Sequence, residues 1–311
     1  MENINLKNAG YTLSADIKSV PVAFVNGLRR ILTAEIPAVV FTNVDIVENT
    51  TSMTHEMLRH RVEQIPVAVL PTETGVIRDT KVELRIVKAE KAQDLTTDDF
   101  VITGPRKDIL LKDRDLETAG IFLGLSPGQS LHIRASLGVE SRGIAQCVAS
   151  FKNHIDPERA RLDKDTWVLE GNDPREFDNF HIQRSYSRDE NGRPNWFDFS
   201  VDSIGIAKAA DLIKTACEIY KTKIETFAAA PIERHARGYR VKVPDETYTL
   251  GALVQAILYD SALAEWASMT IGHPLLPELV VEFETKVAPE KVVARVKEEA
   301  LALCENVLKS V

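Results

Sequence analysis

Three groups of side chains in this 311-residue sequence have the types and spacing to do chemistry. The first is HEMLRH, His55 to His60, two imidazoles and a carboxylate in one helical run. Zinc proteases carry H-E-x-x-H, whose histidines lie four residues apart and share a helix face. His55 and His60 are five apart, which turns them by about 140°. A metal-dependent hydrolase on this run is the alternative function; a packing or docking helix fits the spacing. The second group is Cys147, Cys217 and Cys304, which are far apart and form no CxxC pair. Cys217 and Cys304 fall on apolar helix faces, where a cysteine acts as a small core residue, so no metal or cofactor is expected. The third group is Asn26, Arg29, Arg30 and Thr33. At about 100° per residue they form one polar stripe on a helix, which reads either as an idle solvated face or as an assembly surface, since planar guanidinium forks pair well with carboxylates and carbonyls of another protein. No phosphate loop and no Ser/His/Asp grouping stands out.

The elements that must position these groups follow from periodicity. VPVAFVNGLRRILTAEIP, from Val20 to Pro37, reads as an amphipathic helix, with Ser19 as N-cap, Pro21 in the first turn and Pro37 as terminator. Phe24, Val25, Leu28, Ile31 and Leu32 share the face opposite the arginines. AVVFTNVDIVEN reads as a strand and MTHEMLRHRVEQIPV as a short helix. From Val67 to Pro194 short β-like runs alternate with turns and give way to a polar, loop-like tract. NWFDFSVDS is a strand, and Ile206 to Phe227 a long helix lined by Ile206, Ala209, Ile213, Cys217, Tyr220 and Ile224. After a linker-like AAAPIERHARG come a strand (YRVKV), a helix (TLGALVQAILYD) with Leu250, Leu253, Val254, Ile257 and Leu258 on one face, a strand (ELVVEFETK), and a helix from Pro289 to Lys309.

Element order at the two ends matches, so the fold expected is α+β. Two related α/β dimerisation units form an intramolecular pseudo-dimer, the first interrupted by an inserted β-rich domain. The boundaries expected are 1–66 plus 195–230 for the first unit, 67–194 for the insertion, 231–238 for a linker and 239–311 for the second unit. Phe24, Leu28, Leu32, Leu250, Leu253, Val254, Ile257 and Leu258 are the residues expected at the contact between the units or on the sheets beneath it.

Composition narrows the function. The net charge of −8 argues against autonomous nucleic-acid binding, which draws its affinity from neutralising phosphates. Three scattered cysteines fit a reducing compartment. No run approaches the roughly 18 apolar residues of a membrane span, and MENINLKNAG lacks a secretory core. A soluble intracellular protein is expected.

NGLRRILTAEIPAVVFTNVDIVENTTSMTHEMLRHRVEQIPV resembles the signature of the α-like assembly subunits of multisubunit RNA polymerases. The shared pattern falls on Asn26, Leu28, Arg29, Arg30, Glu35, Ile36, Pro37, Asn49, Thr50, His60, Arg61, Ile65 and Pro66. GIFLGLSPGQSLHIRASLGVESRGIAQ is similar to the family's inserted domain, and FDFSVDSIG to its return into the dimerisation domain. YTLGALVQAIL and GHPL (Gly272 to Leu275) resemble the second α-like partner, archaeal subunit L. The resemblance implies both halves of the α-like heterodimer in one polypeptide, an arrangement similar to that of large DNA viruses, so a virion, host cytoplasm or nucleus becomes the expected location. It implies a non-catalytic platform that docks two large catalytic subunits through Asn26, Arg29, Arg30, Thr33, His60 and Arg61. It also implies small zinc-binding polymerase subunits as partners, with no homodimer needed. Four departures stand out: Gly27 replaces a small alanine or serine, at about 1 kcal/mol of helix propensity; Glu63-Gln64 replace a more apolar pair; the clustered cysteines that hold zinc or an iron–sulfur cluster in some relatives are missing; and no counterpart of the bacterial DNA-binding domain is expected.

Overall fold

The protein is described by a computed structural model covering residues 1–141, 145–273 and 275–311. In chain order the elements are β1 (Glu2–Lys7), β2 (Thr12–Lys18), α1 (Val22–Ala34), β3 (Ala38–Asn49), α2 (His55–Glu63), α3 (Thr74–Asp79), β4 (Lys81–Ile86), β5 (Gln93–Thr96), β6 (Val101–Thr103), β7 (Ile121–Leu125) and β8 (Leu131–Glu140). There follow β9 (Cys147–Asn153), α4 (Pro157–Leu169), the single turn α5 (Pro174–Glu176), β10 (Trp196–Ser203), α6 (Ala209–Ala229), β11 (Ile232–His235), β12 (Gly238–Pro244), α7 (Tyr248–Asp260), β13 (Trp266–His273), β14 (Leu276–Glu284) and α8 (Pro289–Leu308).

The chain divides into two compact units. One comprises residues 1–33, 147–202 and 209–311; the other comprises 34–146 and 203–208. The first contains two four-stranded sheets, ordered β1-β2-β10-β9 and β11-β12-β14-β13. These orders superimpose term by term once α1 is matched with α7 and α6 with α8, so each half is a strand pair, a helix, a second strand pair and a long helix. Alternation explains how each sheet buries one face. Leu13, Ala15 and Ile17 stand opposite Val201, Phe199 and Phe197 across β2 and β10, and all are buried. Val241 and Val243 pair with Val281 and Leu279 in the same way.

Four helices cover these sheets and contact one another. Phe24 of α1 stacks on Tyr220 of α6, ring centroids 5.6 Å apart and 4° from parallel. Lys221 of α6 lies 3.9 Å from Glu305 of α8, and Ser261, just past α7, donates to Glu299 of α8. Lys223 of α6 meets Glu246, ahead of α7, at 2.7 Å with side chains only 15% and 10% exposed. That near-buried ion pair ties the first half to the second.

The other unit is β-rich. Its sheet runs β3-β8-β4-β6, with β5 paired to β7. Its core includes Phe41, Val44, Leu58, Val62, Val67, Leu84, Leu95, Ile109, Phe122 and Ile133. Gln146 donates to the carbonyl of Pro37 at 2.6 Å, fastening the two ends of the insertion.

Several expected boundaries shift. The insertion begins right after α1, not at Val67, because β3 pairs along its length with β8 rather than joining the first half's sheet. Residues 147–194 return to the first unit. The polar tract is an excursion between β9 and β10, closed at its base by bridges Ile155↔Tyr186 and Arg188↔Pro194. The expected linker 231–238 is largely strand: β11 pairs with β12, with His235 opposite Gly238, whose φ of +133° suits glycine. Ser19 is not a helix cap; it sits at φ +56°, and Pro21 precedes the helix rather than opening it. Ile206 precedes α6. GHPL includes Pro274, and the SRGIAQ segment includes residues 142–144; those positions lie outside the described residues. No helix among the described residues is long and apolar enough to cross a membrane.

Candidate assembly surface

α1 separates its two faces sharply. Phe24, Val25, Gly27, Leu28, Ile31 and Leu32 are buried, whereas Arg30 is exposed and Asn26, Arg29 and Thr33 are half-buried. The polar side chains are not loose. Asn26 Oδ1 accepts from both Nε (3.1 Å) and Nη2 (2.9 Å) of Arg29, one turn further on. Arg30 Nε donates to Thr249 Oγ1 on α7 at 2.8 Å. The Thr33 hydroxyl donates back to the carbonyls of Arg29 and Arg30, at 3.1 Å each. Among the described residues no carboxylate lies within salt-bridge distance of either guanidinium. An arginine left with unspent donors at a helix surface is suited to carboxylates or carbonyls of another protein.

The cause of Gly27 is visible here. A Cβ at this position would lie 2.2 Å from Tyr220 Oη and 2.7 Å from its Cζ. The aromatic ring occupies the space a side chain needs, so the helix gives up propensity in exchange for the Phe24–Tyr220 stack.

His60 and Arg61 belong to the β-rich unit, and the α1 stripe to the other. α2 is capped by Thr54, whose side chain accepts from the Met57 amide, and Leu58 and Val62 anchor it in the core. His60 and Arg61 are exposed in its last turn, where cations suit the helix dipole. The preceding Asn49-Thr50-Thr51 is a structural turn: Asn49 Oδ1 accepts from the Thr51 amide (2.9 Å) and hydroxyl (2.7 Å), while its Nδ2 donates to Met53 O. That turn delivers the chain into α2.

The core residues named from the sequence are all buried: Phe24, Leu28, Leu32, Leu250, Leu253, Val254, Ile257 and Leu258. Residues of the first unit that pattern alone did not single out are Thr249, Lys223 and Glu246. Each is a polar group at low exposure, which hydrophobic periodicity cannot flag; the only signal was a threonine ahead of an apolar helix face.

For metals, the described residues offer one trio, Asp16, His154 and Asp198, with ligand atoms within 4.8 Å of one another. Asp16 and Asp198 are cross-strand partners. His154 stacks on Trp196 at 3.8 Å and contacts Asp198 at 2.5 Å, Lys152 lies 3.5 Å from Asp198, and Asn3 donates to Asp16. The carboxylates thus already have partners within the chain. Neither His55 nor His60 joins a metal-ligand group among the described residues. All three cysteines are buried and free, and burial pushes each thiol up to about 12, with Cys304 adding to the rise at Cys217.

Residues 15–224 match the family described as the RNA polymerase Rpb3/Rpb11 dimerisation domain. Among curated proteins, the chain is similar to the DNA-directed RNA polymerase subunit Rpo3 of Pyrobaculum arsenaticum, 33% identical over 132 residues, covering 40% of this chain and 49% of that one. It is also similar to the Rpo3 of Pyrobaculum aerophilum, 45% identical over 56 residues (18% and 22%). A third similarity is to the DNA-directed RNA polymerases I and III subunit rpac1 of Dictyostelium discoideum, 31% identical over 94 residues (28% and 27%). In these alignments the chain spans about half or less of each relative's length. Residues 239–311 lie beyond the family match.

Proposed function

Because the chain belongs to the RNA polymerase Rpb3/Rpb11 dimerisation-domain family, we propose that it is a non-catalytic assembly subunit of a multisubunit DNA-directed RNA polymerase. It docks the two large catalytic subunits, and small zinc-binding subunits join the same assembly. In this reading residues 239–311 supply, within one polypeptide, the partner that an α-like subunit otherwise recruits. The repeated sheet order supports that reading. Tethering makes the pairing intramolecular, at an effective concentration set by the short connection between α6 and β11. The fused arrangement carries with it the proposal of a large-DNA-virus origin.

The observation that carries the docking role is the α1 face. Its buried side is fully committed to the fold, while Arg29 and Arg30 face outward with no carboxylate of the described chain near them. His60 and Arg61 on α2 form a second basic docking element by the same logic. The metal-dependent hydrolase finds no support, since HEMLRH presents two exposed, diverging histidines.

The test is capture. Arg30→Glu in the full chain, co-expressed with the two large subunits, should leave the isolated protein folded with a cooperative melt, its melting temperature lowered by no more than a few °C, because the exposed charge contributes little and the loss is that of one hydrogen bond, to Thr249. Recovery of the large subunits in the assembled complex should fall at least about tenfold, the order expected when a charge-assisted pair at an interface is reversed. Assembly at normal yield would remove Arg30 from the docking surface.

A further inference from the structure

Arg30 reaches out of the first half of the pseudo-dimer and is held by the second. Its Nε donates to Thr249 Oγ1 at 2.8 Å. Thr249 stands in the first turn of α7 and is only 5% exposed, flanked by the buried Leu250 and Gly251. A hydroxyl buried in an apolar face needs a partner, and among the described residues Arg30 supplies it. Reciprocally, the bond occupies the Nε edge of the guanidinium and leaves Nη1 and Nη2 outward. Those two nitrogens form the end-on fork that receives a carboxylate bidentately. Arg29 contrasts with this, because Asn26 of its own helix occupies its Nε and Nη2.

We propose that Thr249 is a positioning residue for docking: it orients Arg30 so that the face captured by a large subunit is complete only when the second half has packed against α1. The proposal rests on the docking reading above and adds the order of events to it. A free arginine side chain loses rotamer entropy when fixed; here part of that loss is incurred when the two halves fold together, before any partner arrives. Preorganisation of this kind raises affinity without adding a contact. The partner chemistry follows from the geometry: a carboxylate, or a pair of main-chain carbonyls, presented to the Nη edge of Arg30.

The experiment compares full-length variants for capture of the co-expressed large subunits, for melting temperature and for motion of the Arg30 Nε–H group by NMR relaxation. Thr249→Val keeps shape and removes the acceptor; Thr249→Ser keeps the hydroxyl. The Val variant should weaken capture roughly 3- to 10-fold, the range for the net contribution of one ordinary hydrogen bond, and should mobilise the Arg30 Nε–H. The Ser variant should restore both. In an Arg30→Ala background, Thr249→Val should cause no further loss of capture; an additional loss there would show a merely structural role and overturn the proposal. If Arg30→Glu abolishes capture while Thr249→Val binds as wild type, positioning is wrong and docking stands. If Arg30→Glu binds normally, the docking reading itself falls.

Discussion

The two halves of the first unit share a plan but treat their matching helices differently. α1 and α7 each follow a strand pair, bury an apolar face and carry one glycine where a neighbour presses close. Apart from Thr249, which meets Arg30, α7 turns polar groups back onto its own half: Gln255 donates to the carbonyl of Ala267, and the Tyr259 hydroxyl both donates to that carbonyl and accepts from the Ala267 amide. α1 instead carries two arginines outward. The first half also holds both additions to the plan, the β-rich unit between α1 and β9 and the excursion between β9 and β10. In the second half the chain passes from β13 to β14 almost at once. The shared parts are therefore what folding requires, and in the proposed reading the asymmetric parts are where assembly is read.

That contrast breaks most decisively at a buried position. Val254 is 2% exposed on α7, so Val254→Asp buries a charge that has no partner, at a cost of several kcal/mol. This approaches the total stability of a typical domain, and the chain should become insoluble or lose its cooperative melt. Arg30→Glu on α1 changes charge by more and should leave the melt intact. A soluble Val254→Asp with an unchanged melting temperature would sink the placement of α7 in the shared core.

The core should also respond symmetrically to alkali. Cys217 lies on α6 and Cys304 on α8, one buried thiol in each half, and burial raises each from 9.0 to about 12. A raised thiol means that the unfolded chain loses its proton first. Stability is then complete below about pH 9 and falls as pH climbs toward 12, by roughly tenfold in the unfolding constant per pH unit for each thiol. Cys217→Ala and Cys304→Ala should each reduce the slope of melting temperature against pH over that window. A slope unchanged by either variant would mean that these thiols are not buried as a pair.

Much of this was legible in the residues. Period 3.6 placed the apolar faces of α1, α6 and α7, and alternation fits β12 and β14, because these elements are amphipathic. The boundary of the insertion was not legible. β3 alternates like any strand, and nothing within it says that its partner is β8 rather than β2. β11 was hidden because IERH is short and mostly exposed, so it reads as linker until its pairing with β12 is seen. Thr249, Lys223 and Glu246 were missed for a third reason: a buried polar group is justified by its partner, and partnership across more than twenty positions leaves no local pattern. The tract after β9 was expected to be loop-like, yet it opens with the helix α4, capped by Asp156 with Pro157 in its first turn; its apolar residues follow no helical period that would have revealed it.

The two glycines sharpen the comparison at the next scale down. At Gly27 the obstacle is the ring of Tyr220, fixed by its stack on Phe24. At Gly251 it is the ends of Leu279 and Met269, both 2.7 Å from where an added Cβ would sit, and such flexible side chains can rotate. Alanine normally gains about 1 kcal/mol over glycine in a helix. Gly27→Ala should nonetheless destabilise by about 1–3 kcal/mol through overpacking, and Gly251→Ala should come out near neutral. Chemical denaturation of the two variants side by side decides it; equal effects would mean that α1 and α7 are packed alike.

The smallest effect belongs to the excursion between β9 and β10, which the second half lacks. Asp156 Oδ1 accepts from the amides of Glu158 and Arg159 at 3.0 and 3.3 Å, and its own amide donates to Ser185 O at 2.9 Å. Asp156→Ala removes the side-chain cap but keeps that main-chain bond, so the loss should be about 1 kcal/mol. It should appear as faster amide exchange in α4 before any change in the global melt, because α4 is largely exposed and contributes only Ala160 to the buried set. If the whole unit instead lost stability in one step with α4, the excursion would be part of the shared core, and the division between what folds the two halves and what distinguishes them would have to be redrawn at β9.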